Sequence, residues 1–207
     1  MPRLEGTIEQ IHYPLFDVVE FDHTTRSRVF FSRPQGQPLE SSGFVKDNRM
    51  TNLTRAASLS GGERFEIAAV RLYLIPKEPL DPDANRIDLA RLARATFGSS
   101  ALRLMIQNKV YLDVPGMLAP GGVGIDERYA VSTEAAAATP LERYYGQNGV
   151  CDPRAIWVLA KTIRIEELET FRLEFFFGVD LADLDMQEGS SGAMCAVLDG
   201  ILERPVQ

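Results

Sequence analysis

The chain has little of what most hydrolases and metalloproteins are built from. Its 207 residues include only two cysteines, Cys151 and Cys195, and two histidines, His12 and His23. The cysteines show no CxxC spacing and no histidine cluster beside them, so neither a disulfide framework nor a zinc site is supported, and two reduced, partly buried thiols are the simplest expectation. His12 and His23 are the only side chains that ordinarily titrate near neutrality, and neither sits in a nucleophile or metal pattern, so both read as structural. There is no run of about 18 apolar residues, hence no transmembrane helix. The opening Met1-Pro2-Arg3-Leu4-Glu5-Gly6 resembles neither a signal nor a transit peptide, so synthesis in a reducing compartment is expected. Asn52-Leu53-Thr54 fits a glycosylation sequon but has no export signal to give it weight. A basic excess is lacking too: 22 Lys and Arg face 29 Asp and Glu, a net charge of -7. That balance argues against a surface made to grip phosphates, and direct nucleic-acid binding is not expected. Before Pro34 the arginines Arg3, Arg26, Arg28 and Arg33 alternate with Glu5, Glu9, Asp17, Glu20 and Asp22, which is not a basic arm.

What is present is a globular composition, 45% hydrophobic and 25% charged, at a length that suits one domain spanning 1-207, with residues 1-27 a candidate N-terminal arm. Phe65 to Leu74 alternates as a half-buried strand and is ended by Pro76 and Pro79. Ile156 to Ile165, the acidic turn Glu166-Glu167-Leu168-Glu169, and Phe171 to Gly178 read as two strands and a short connection. On the second of these, Phe171, Leu173 and Phe175 share one face while Arg172 and Glu174 share the other. Weaker strand signals lie at Arg28 to Ser32, Leu102 to Ile106, Val110 to Val114 and Cys195 to Leu202, the last with a turn or bulge at Asp199-Gly200. About seven or eight short strands predict an all-β fold, a sandwich or jelly roll. One or two short helices are expected in the connections, at Asp83 to Phe97 and through Glu134 to Ala138. Pro34 to Leu53, Pro115 to Asn148 and Val179 to Ser191 read as long loops, of a length that compact domains keep for binding or for packing against another chain.

No motif points to catalysis, a cofactor or a metal. Gly121-Gly122-Val123-Gly124 carries Glu at position 127 and no GK[ST], so neither a dinucleotide fingerprint nor a P-loop is formed. Asp180, Asp183, Asp185 and Glu188 lack the spacing and central glycine of an EF-hand loop. Glu166, Glu167 and Glu169 fit an exposed turn better than an acid-base pair. Trp157 and the run Phe175-Phe176-Phe177 read as core and subunit packing, since a continuous aromatic run implies cover on both faces of its strand.

The segments Trp157 to Ile165 and Phe171 to Phe175, with the ending Val197 to Gln207, resemble the C-terminal half of jelly-roll major capsid proteins from tailless icosahedral bacteriophages. Thr51 to Leu59, leading into Phe65 to Leu74, is similar to the polar loop and first shell strand of those proteins. The resemblance covers about half the chain. It implies a non-enzymatic virion protein, made in the host cytoplasm and built as a single jelly roll. Its partners would be copies of itself, together with other virion proteins or an internal membrane. The length departs from the double jelly-roll pattern, which needs two sandwiches, and the missing basic arm departs from shells that hold their genome directly. Two further readings stand beside it. One is a ligand- or carbohydrate-binding sandwich that stacks its ligand on Trp157 or Tyr144-Tyr145. The other is a cupin-like enzyme, disfavoured because its metal triad would need carboxylates far from His12 and His23.

Overall fold

The computed structural model describes residues 7–40, 42–76, 97–119, 126–132, 141–147, 156–178 and 191–206. Along the described chain lie β1 (Ile8–His12), β2 (Leu15–Asp22), β3 (Ser27–Phe30), β4 (Arg64–Pro76), β5 (Ala101–Ile106), β6 (Lys109–Pro115), β7 (Asp126–Ser132), β8 (Leu141–Gln147), β9 (Val158–Ile165), β10 (Phe171–Phe176) and β11 (Ser191–Pro205). A 3-10 turn spans Gly116–Leu118.

Two antiparallel sheets form a sandwich. One runs β2–β11–β4–β9, with β1 alongside the C-terminal half of β11; the other runs β3–β10–β5–β6; β7 and β8 pair only with each other. Counting the eight sandwich strands from β2, the first pairs with the eighth, the second with the seventh, the third with the sixth and the fourth with the fifth. The chain is therefore one long hairpin of strands, folded over so that its pairs fall alternately into the two sheets. That winding is a jelly roll.

The two-residue period decides what enters the core. On β10, Phe171, Leu173 and Phe175 are buried while Arg172 and Glu174 pair outside at 2.7 Å. Inward residues of β4 (Phe65, Ile67, Val70, Leu72 and Leu74) meet Leu102, Leu104 and Ile106 of β5 in the same cluster. β9 and β10 follow each other in sequence but lie in different sheets, so the turn between them crosses the sandwich. Glu169 ties that turn by accepting the Glu166 N–H at 2.9 Å, with Leu168 at a left-handed φ of 60°. The register of β11 against β4 slips between Asp199 and Gly200, where a Cβ on Gly200 would strike the Glu66 carbonyl and the Phe65 ring. This is the bulge predicted at that dipeptide.

Two expectations are revised. Residues 8–12 and 15–22, part of the candidate arm, are strands of the first sheet, because Leu15, Val19 and Phe21 supply core that β11 needs on its flank. The stretch 115–148, read as a loop, contains the 3-10 turn and the β7–β8 pair. Only the last residue of the helix expected at 83–97, Phe97, is described; it is helical and buried. The second expected helix, the glycine cluster at 121–124, the acidic series at 180–188 and Cys151 lie outside the described residues.

Candidate functional site

The two lateral sides of the sandwich are finished differently. On the β2/β3 side, the segment 34–53 runs along the free edge of β2. The Val18 N–H donates to the Met50 carbonyl at 2.8 Å and the Asn52 N–H to that of Phe16 at 3.4 Å. The Asn52 side chain closes the contact, accepting the Phe16 N–H at 3.0 Å and donating to the Pro14 carbonyl at 2.7 Å. The sequon asparagine is thus a structural clamp.

Beneath this segment lies an ion pair withdrawn from solvent. Lys46 Nζ meets Asp17 Oδ1 at 2.7 Å, with side-chain exposures of 1% and 0%. Asp17 Oδ2 also accepts the Phe31 N–H at 2.7 Å, so one carboxylate joins β2, the residue after β3 and the loop. Phe31 sits at a left-handed φ of 66°, its ring 5.4 Å from that of Phe171. Burial pushes the Asp17 carboxyl above its usual range, against the pull of Lys46 and of the hydrogen bonds from Phe31 and Thr51. A second buried acid, Glu20, accepts the Ser42 N–H at 2.7 Å and anchors the outer part of the loop.

From this base the loop projects a tip. Pro38 and Val45 form a bridge, the Leu39 N–H donates to the Phe44 carbonyl at 2.7 Å, and Gly43 turns the chain at a φ of 71°. Leu39 points in and is buried, while Phe44 is 67% exposed and Val45 60%. An exposed phenyl ring on a tied-down turn loses little freedom on binding.

The β6/β9 side has no such cover among the described residues. β6 and β9 end their sheets, and their inward residues Leu112, Val114, Leu159 and Ile163 are only partly buried against the core. Outside them Val110, Met117, Leu118 and Val158 are exposed by 45–61%. The Lys109 ammonium lies 4.9 Å from the Tyr111 ring centroid.

At one end of the sandwich a cavity of about 150 Å³ opens between the turn at Tyr13, the segment 52–60 and the last part of β11. Leu15, Leu53, Leu59 and Leu202 supply its apolar wall, and Tyr13, Thr54, Ser58, Ser60, Glu63 and Arg204 its polar one. Arg204 pairs with Glu9 at 2.5 Å.

The other residues singled out in the sequence fall into plain roles. His12 is exposed on β1 opposite Ile201. His23 follows β2, and its enclosed Nδ1 has no hydrogen-bond partner among the described residues. Glu166 pairs with Arg64 at 3.1 Å and with Arg164 at 2.8 Å, while Arg164 also reaches Glu66 and Glu203, making a solvated charged face. Trp157 is half-buried. Phe175 and Phe177 are buried, whereas Phe176 points outward beneath the Arg103 guanidinium, 5.3 Å from its ring centroid. Among the described residues no three His, Cys, Asp or Glu side chains gather as a metal site, and no helix is long and apolar enough to cross a membrane. The sequence reading missed the cavity and the tip. The apolar pair Phe44-Val45 in a polar loop was the available signal for the tip, whereas the cavity joins segments far apart in the chain. No family model, curated protein or solved structure matches this chain.

Proposed function

We propose that this chain is a structural subunit that assembles with copies of itself into a closed shell, in the manner of the jelly-roll capsid proteins of tailless icosahedral bacteriophages, and that its place is in the virion. The observation that carries the reading is the unequal finish of the two sides. One side has some twenty residues, 34–53, covering an edge, while among the described residues the other has two edge strands with half-covered core residues and exposed Val110, Met117 and Val158. Open strand edges beside apolar surface invite pairing with another chain, and a closed assembly removes that hazard by burying them. The acidic net charge of -7 leaves genome contact to other virion proteins or an internal membrane.

The ligand-binding alternative has the end cavity in its favour. At about 150 Å³ the cavity is well below the roughly 300–1,000 Å³ of sites that enclose drug-sized ligands, and Trp157 is not part of its wall. Light scattering and electron microscopy of freshly purified protein test the proposal. Particles or large rings are expected; a monodisperse monomer across salt and concentration would refute it.

A further inference from the structure

A lysine and an aspartate that touch each other out of reach of solvent are the two halves of an amide. We propose that Lys46 and Asp17 condense in the folded chain: Nζ bonds to the Asp17 Cγ, one water leaves, and an isopeptide link ties β2 to the segment that covers its edge. The proposal concerns the single folded chain and does not depend on self-assembly.

Three observations support it. The first is proximity: Nζ lies 2.7 Å from Oδ1, at side-chain exposures of 1% and 0%, so nucleophile and carboxyl are held together in one enclosed place. Well-oriented groups on one molecule react as if at concentrations of up to about 10⁵–10⁸ M. The second is desolvation. In water both ions are hydrated and do not condense, whereas burial penalises both charges, and a proton passed from Nζ to Oδ1 leaves a neutral amine beside a carboxylic acid. A desolvated lysine amine is a nucleophile. The third is polarisation. Oδ2 accepts the Phe31 N–H at 2.7 Å, and the buried Thr51 hydroxyl donates to the same carboxyl. A donor fixed on Oδ2 stabilises the negative charge that collects there as Nζ adds to Cγ.

The atoms balance with no other reactant. Of the three ammonium hydrogens, the first has already moved to Oδ1; after addition Oδ1 takes the second and leaves as water, and the third stays on the amide nitrogen. Oδ2 becomes the amide oxygen, still held by the Phe31 N–H. A neutral amide then replaces two buried charges, and such a pair adds little to stability over apolar residues of the same volume. The linked residues are 29 positions apart, so the segment 34–53 can no longer peel from the β2 edge. Where the bond has not formed, the two groups remain the ion pair described above.

Intact-mass spectrometry of the full chain, kept folded at neutral pH and then denatured, tests this. Most wild-type molecules should be lighter than their sequence requires by one water, and a digest should contain a branched peptide joining Asp17 to Lys46. Lys46→Arg keeps the charge but carries a guanidinium that stays protonated and does not attack, so it should show the full sequence mass and no branch. A wild type at its full sequence mass overturns the proposal. So does a water lost without that branched peptide, or lost equally by Lys46→Arg, since an imide at another aspartate gives the same mass.

Discussion

Lys46 enters the sandwich as a buried cation with Asp17 as its counter-ion, and the Asp17 carboxyl is raised because burial outweighs that attraction. A carboxyl raised on folding stabilises the fold in its protonated form. Its contribution is complete below the ordinary carboxylate pKa and is lost as pH climbs through the folded value. Lys46→Met strands the carboxylate and should cost about 3–5 kcal/mol at pH 7. The cost should shrink as pH falls toward the ordinary range and Asp17 takes up its proton. Denaturant melts across pH check this, and a loss that grows on acidification would contradict it. Replacing both partners, Asp17→Leu with Lys46→Met, should cost less than Lys46→Met alone, the remaining loss of about 1–3 kcal/mol coming from the buried Phe31 N–H left without its acceptor. The Cys195 thiol, half-buried on β11, is shifted as well. Burial, and next the Asp17 charge, push its thiol up to about 11. At pH 8 roughly one molecule in a thousand would then carry the reactive thiolate. Iodoacetamide should leave the Cys195 peptide unlabelled in the native protein and label it after denaturation, as mass spectrometry of the digest would report.

At the level of single strands, legibility depended on how purely each face was apolar. β10 was readable because Phe171, Leu173 and Phe175 alternate with Arg172 and a glutamate, and burial follows that alternation. Phe175→Ala should therefore cost about 3–5 kcal/mol in a denaturant melt, whereas Arg172→Ala should cost under about 1 kcal/mol. An equal loss in both would mean that the strand is not seated as described. β2 was hidden for the converse reason. Asp17 occupies an inward position between Leu15 and Val19, and Glu20 is buried as well, so the strand looks like charged linker until Lys46 and Ser42, more than twenty residues away, are known to meet those acids. The loop 34–53 was legible as a loop but not as a cover, because its partners on β2 cannot be read from its own composition. The cavity was illegible for the same reason, since its walls come from Tyr13, the segment 52–60 and Leu202.

For the molecule as a whole, the β6/β9 side, uncovered among the described residues, is the feature on which the proposed assembly turns. Met117→Lys places a charge beside the β6 edge at a residue already 57% exposed, so folding should be unchanged while particle yield falls at least ten-fold. Circular dichroism and particle yield separate the two effects, and undiminished yield would remove this side from the shell contacts. The pairing of first strand with last also sets the order of events in time. Glu9 and Arg204 face each other across 195 positions of sequence, and β11, the last strand among the described residues, lies between β2 and β4 with partners on both flanks. The β5–β6 hairpin can close as soon as it exists, but the first sheet lacks its central strand until residues 191–205 are available. Contacts this remote place refolding in the slow range of all-β domains, about milliseconds to seconds or longer. A nascent chain must keep β2 and β4 exposed to solvent or to a chaperone until residues 191–205 have been made, so the first sheet, and any contact that depends on it, forms after its central strand and not strand by strand.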